Sequence, residues 1–180
     1  MLKPDLIRQS QKKMPLRERT VGESKTEMLE VVLPDDANPL GSILGGKVMH
    51  LIDMAGAVAA HRHSHRHVVT VSVDSLDFVR PIRVGQIILL QAQVNRAFRT
   101  SMEVGVNVYL EDYISGERHQ TSSSFVTYVA VSEDGKPTAV PPLLPRTAEE
   151  KRRYREALER RRHRLAQAAR AHRQYSEKGV

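Results

Sequence analysis

The feature that most constrains this chain is a run of fifteen residues, Gly46 to Ala60, GKVMHLIDMAGAVAA, that is almost wholly apolar and small. A stretch of that composition is a helix built for burial on nearly all sides. Its polar side chains are Lys47, His50 and Asp53. At about 100° per residue, Gly46, His50, Asp53 and Ala57 share one narrow stripe, and the remaining surface is free to pack on a sheet. Aspartate is a poor residue for a helix interior, and a buried carboxylate is costly unless partnered. Asp53 is therefore either a satisfied structural group, capping an amide or pairing with His50, or a functional one.

Four strand-like stretches follow the helix: Val68 to Val79, Gln86 to Asn95, Ser101 to Leu110 and Gln120 to Val131, with Ser115-Gly116 as the hairpin turn between the last two. One strand, Thr26 to Leu33, precedes it. A strand, a long helix and four strands in succession predict an α+β domain with an antiparallel sheet. One helix cannot cover both faces of five strands, so pairing between subunits is expected to protect what it leaves bare.

The 180 residues contain no cysteine, which excludes disulfides, thiol nucleophiles and thiolate-bound zinc. No segment has the roughly 18 apolar residues that a spanning helix needs, and the N-terminal segment does not read as a secretory signal, so a cytoplasmic protein is expected. The net charge of +7 comes mostly from the two ends. Residues 1–19 read as a basic tail, residues 20–143 as the domain and residues 144–180 as an arginine-rich helix. Thr147 and Glu150 form a capping box for that helix. Its apolar stripe is thin, which predicts a helix on the surface or against another subunit, with solvated arginines rather than a nucleic-acid or membrane binder.

Gly45-Gly46 adds a second functional signal. Free amide N–H groups at a helix start favour negative charge, and glycine lets a substrate carbonyl approach them. Gly46 can thus donate to an oxyanion along the stripe that carries Asp53. Arg80, Arg83 and Arg99, with Thr100 and Ser101, are candidates for binding phosphate. The segment HRHSHRH, His61 to His67, reads as a connecting loop rather than a metal site, because no carboxylate is interleaved. Asp74 and Asp77 lie three apart, on opposite faces of a strand, and neither is assigned to catalysis.

The runs ANPLGSILGGKVMHLIDMAGAVAA, VVTVSVDSLDFVRPIRVGQ, TSMEVGVNVYLED and SFVTYVAVSEDGKP, in that order, resemble the acyl-CoA hydrolases of the hotdog superfamily. The resemblance is to the branch of bacterial broad-range and brain-type thioesterases, and covers about residues 26 to 142. It implies a five-stranded antiparallel sheet wrapped round the long helix. It also implies edge-to-edge dimers assembled as a trimer of dimers, with active sites at the dimer interface. On this resemblance Asp53 is the general base or nucleophile, Asn38 positions the thioester or the water, and Gly46 is the oxyanion donor, with Gly45 beside it. The expected activity is hydrolysis of acyl-CoA to a carboxylic acid and coenzyme A, with no cofactor beyond the CoA of the substrate. A non-catalytic acyl-CoA sensor on the same fold is the alternative.

Overall fold

The computed structural model describes residues 16–177, with side chains described to residue 170. Most of the expected N-terminal tail lies outside the described residues. In chain order the elements are β1 (Arg19–Thr20), β2 (Thr26–Val31), α1 (Gly45–Ser64), β3 (His67–Val73), β4 (Ile87–Ala97), β5 (Ser101–Glu111), β6 (Arg118–Val131), β7 (Leu143–Leu144) and α2 (Ala148–Glu177). The main sheet is antiparallel with order β2-β4-β5-β6-β3, and β1 pairs with β7 in a separate parallel ribbon. Strands β2 and β3 are the two edges. No helix among the described residues is long and apolar enough to cross a membrane.

The sheet curls round α1. Ile88, Leu90, Val104, Val106, Val126 and Tyr128 alternate inward along β4, β5 and β6 and bury completely against Leu51, Ile52, Ala55 and Ala59 of the helix. Alanine and glycine on α1 permit this close approach. The helix runs one turn further than the sequence suggests, because HRHSHRH is not a connecting loop. His63 is fully buried, and its ring Nε2–H donates to the Pro141 carbonyl at 2.9 Å. The Ser64 hydroxyl donates back to the Ala60 carbonyl at 2.8 Å. His65 then closes the helix in the left-handed conformation (φ 50°), its N–H donating to the His61 carbonyl. A tertiary contact overrides the local polar composition here.

Strand β3 is shorter than its alternation predicts. Regular pairing ends at Val73, and the segment that follows stays beside β6 through Asp74 N–H to Phe125 and Val79 N–H to Thr121.

The second face of the sheet is partly covered by α2, within the same chain. The expected capping box is present: Glu150 N–H donates to the Thr147 hydroxyl at 3.1 Å, and Thr147 N–H donates to the Glu150 carboxylate at 3.1 Å. The expectation of solvated arginines is corrected at two positions. Glu103 on β5 is fully buried and accepts Arg160 Nη2 at 2.7 Å and Arg164 Nη2 at 2.9 Å. Arg164 Nη1 also donates to Asp74 at 2.7 Å, and the Arg160 guanidinium lies 3.6 Å from the centre of the Phe125 ring. Arginine replaces leucine as the packing residue because its stem is apolar and its fork finds a buried acid. The more exposed Arg152 and Arg162 pair along the helix with Glu149, Glu156 and Glu159.

Candidate active site

Asp53 sits at mid-helix on the flank of α1 that faces β3 and β6, and is half-buried. Thr70 Oγ donates to its Oδ1 at 2.5 Å. The Tyr128 hydroxyl donates to the main-chain carbonyl of Asp53 at 2.9 Å and lies 3.2 Å from Oδ1. Among the described residues neither Oδ2 nor His50 makes a hydrogen bond in this group. The carboxylate is therefore held through one oxygen and open at the other. Burial, and after it the charge of Asp53, push the Tyr128 phenol above its ordinary range, so it remains a proton donor.

Two features of the backbone arrange this. Thr70 and Tyr128 are direct cross-strand partners on β3 and β6, so their side chains leave the same face of the sheet. Immediately after Thr70 the register slips, as in a β-bulge, which turns the remainder of β3. Thr70 and Tyr128 are the site residues that sequence reasoning missed. Each is unremarkable in a strand, and they lie 17 and 75 residues from Asp53. The one local signal is Gly56, a glycine in mid-helix without a turn to explain it.

The other candidates form a second group. The N-cap position of α1 is Leu44, which supplies no side-chain cap, and the Gly45 and Gly46 amides donate to none of the described residues. Gly45 packs against the Phe78 ring, whereas the space beside Gly46 is open. Asn38 Oδ1 accepts the amides of Leu40 and Ser42, which shapes the loop ahead of the helix and leaves the Asn38 NH2 free to donate. Asn38, Gly45, Phe78, Arg80 and Ile82 line a half-open cleft of about 330 Å³. Asp53 does not line it. Seven residues of helix rise separate Gly46 from Asp53, or about 10 Å.

The phosphate-binding candidates divide as well. Arg80 lines the cleft, and Arg83 bridges to Ser42 beside it. Arg99, Thr100 and Ser101 lie at the β4–β5 turn, where the Arg99 and Thr100 carbonyls accept the amides of Val140 and Ala130. The eleven residues of β4 put that turn roughly 30 Å from the cleft. One protomer therefore does not bring the two sets together.

Residues 40–115 match the family model described as thioesterase superfamily. The chain is 41% identical over 128 residues to the acyl-CoA thioester hydrolase YkhA of Bacillus subtilis, covering 71% of this chain and 74% of that protein. It is 35% identical over 139 residues to the cytosolic acyl coenzyme A thioester hydrolase of Rattus norvegicus, but spans only 36% of that longer protein. An acyl-CoA hydrolase from Staphylococcus aureus, solved with butyryl coenzyme A, coenzyme A and coenzyme A disulfide, superposes with a TM-score of 0.85 at 32% identity. The match covers 91% of this chain and 99% of that one. A hexameric acyl-CoA thioesterase superposes with a TM-score of 0.82 at 44% identity, covering 86% and 99%. Solved variants of the S. aureus enzyme replace an asparagine, an aspartate and a threonine by alanine, spaced 15 and 17 residues apart.

Proposed function

Since the chain belongs to the thioesterase superfamily, and within it to the acyl-CoA hydrolases, we propose that it hydrolyses acyl-CoA thioesters with Asp53 as the catalytic carboxylate. Asp53 Oδ2 takes a proton from water as the oxygen attacks the thioester carbonyl. The tetrahedral oxyanion is held by the Gly46 amide, with Gly45 beside it. The C–S bond then breaks, and the CoA thiolate leaves and takes up a proton. A thiolate leaves readily, so no Ser-His-Asp triad is required. Attack by Asp53 itself, through a mixed anhydride, is the variant of this scheme. Hydrolysis in ¹⁸O-water reveals the anhydride route when water opens the anhydride at the Asp53 carboxyl carbon, because only that attack carries label into the Asp53 carboxyl group.

The observation that carries the reading is the asymmetric anchoring of Asp53, with Oδ1 held by Thr70 and Oδ2 open. Asn38, Asp53 and Thr70 also have the spacing of the three residues replaced in the S. aureus enzyme.

The active site is shared by two subunits. This accounts for the 10 Å between Asp53 and Gly46, too far for one thioester carbonyl within a single protomer. Edge strand β3 carries Val69, Val71 and Val73 at 46%, 55% and 49% exposure, an apolar edge that a second copy would cover. Antiparallel pairing of two β3 edges runs the partner's cleft segment back toward Asp53 and the β4–β5 turn. Arg80 and Arg83 of one subunit then join Arg99, Thr100 and Ser101 of the other around the CoA phosphates. Three such dimers form the hexamer, the state of the neighbour above.

The test is release of free thiol from acyl-CoAs of graded length by the parent and by Asp53→Ala. Loss of turnover with retained CoA-ester binding is expected. Parent-level turnover in the variant refutes the role of Asp53. Saturable binding by the parent without turnover indicates an acyl-CoA sensor instead.

A further inference from the structure

Tyr128 lies directly across the strand pair from Thr70, with its ring fully buried against α1. Where the ring meets the helix the residue is Gly56. A Cβ added there would collide with the phenol oxygen and lie 3.1 Å from Cε2 and from Cζ. The helix thus lacks a side chain at the one position where a hydroxyl passes to reach Asp53. That hydroxyl has one proton and two acceptors on Asp53, the main-chain carbonyl and Oδ1.

We propose that Tyr128 is a positioning residue for Asp53: with Thr70 it fixes the rotation of the carboxylate through Oδ1 and presents Oδ2 to water. The proposal rests on the reading of Asp53 as the base. A carboxylate free to rotate would offer water either oxygen in many orientations. One gripped by donors from two strands offers a single oxygen in a single direction. The one phenol proton is shared between Oδ1 and the main-chain carbonyl, so the same three-centre bond ties the hydroxyl to the helix backbone and to the carboxylate, and the two move together.

Other charged groups round Asp53 are few among the described residues. His50 is one turn earlier on α1 and exposed. Lys47 is engaged by Asp36 at 3.0 Å and Glu30 at 4.0 Å. Facing the helix, β4 and β5 turn apolar side chains, including Ile88, Leu90, Val104 and Val106, and β2 turns Met28. Glu23 and Arg19 lie toward His63 at the far end of the helix. The hydroxyls of Thr70 and Tyr128 are the donors that act on the carboxylate.

The test is the pH profile of kcat/KM for Tyr128→Phe, which keeps the ring and removes the donor. Loss of a hydrogen bond to the charged form lets protonation compete at higher pH. The acid limb should therefore move up by about one pH unit. The value of kcat should fall about tenfold and KM should stay within about twofold, a split that general loosening of the fold does not produce. An unmoved acid limb with kcat within twofold of the parent overturns the proposal. Asp53→Asn, run alongside, separates the two levels. Full turnover in it overturns the base and the positioning role together. Its inactivity with an unmoved Tyr128→Phe profile overturns Tyr128 alone. Should Tyr128→Phe melt early, the whole enzyme made with 3-fluorotyrosine, a stronger donor, should move the limb the opposite way, and an unmoved limb there counts equally against the proposal.

Discussion

The double variant Arg160→Met, Arg164→Met examines how α2 is attached. In the parent, Glu103 is fully buried and receives both guanidinium groups. Methionine keeps most of the apolar stem of arginine, so packing volume is nearly conserved while both positive charges facing the acid are removed and only the Asn95 amide, at 3.5 Å, still donates to it. A buried carboxylate left unpaired costs about 3–5 kcal/mol. For a chain of this size each kcal/mol moves Tm by about 2–4 °C, which gives a fall of about 6–20 °C. Arg160 adds its contact with Phe125, so the upper half of that range is expected. The measurement is a thermal melt at fixed protein concentration, because association of subunits also shifts Tm. Limited proteolysis of α2 is read in parallel, since the helix could detach without unfolding the sheet. Adding Glu103→Leu should recover most of the loss, because an apolar replacement for a buried ion pair is often neutral or stabilising. A double variant within 2 °C of the parent, with α2 equally resistant to protease, would show that the Glu103 pairs do not hold the helix.

Three further outcomes are expected. Burial holds His63 below its ordinary pKa, against the opposing pull of the Pro141 carbonyl and, after it, the Glu23 charge, so the unfolded chain binds more protons in the window just below the usual histidine value. Stability should then be lost as pH falls through about 6.5, and His63→Gln should show a smaller Tm difference between pH 7.5 and 5.5; an equal difference would exclude His63 as the source. Leu44→Asp places a capping side chain at the uncapped start of α1. It should raise stability by about 0.5–2 kcal/mol in urea denaturation while lowering kcat, because it engages an amide assigned to the oxyanion and adds a negative charge; unchanged kcat would remove Gly46 from the mechanism. Val71→Asp puts a charge on the β3 edge and should yield monomers by light scattering with no thioesterase activity; active monomers would refute the shared site.

The α1 helix and the succession of strands were legible because their information is local: small apolar residues in one run, then alternation with turn residues between. Asp53 and Gly46 could be singled out for the same reason, since each departs from what its own segment would choose, whereas Asn38 is ordinary in its loop and is marked by the family resemblance alone. What the sequence hid depends on distant partners. Thr70 and Tyr128 become site residues only once β3 and β6 pair in one register beside the helix. The arginines of α2 read as solvated because the acid they bind, Glu103, is 57 and 61 residues away. The histidine segment read as a loop because its polar composition does not reveal that one ring will find a carbonyl at Pro141.

The fit of Gly56 against Tyr128 also restricts how this protein can diverge. A mutation to alanine at 56 meets the phenol oxygen head-on while the tyrosine is present. Loss of the hydroxyl removes that clash, though the ring carbons at 3.1 Å still have to yield by a few tenths of an ångström. Descendants can therefore acquire phenylalanine at 128 first and alanine at 56 second, whereas the reverse order passes through a misfitted intermediate. Two positions 72 apart in the sequence are bound to one order of inheritance by a single oxygen atom.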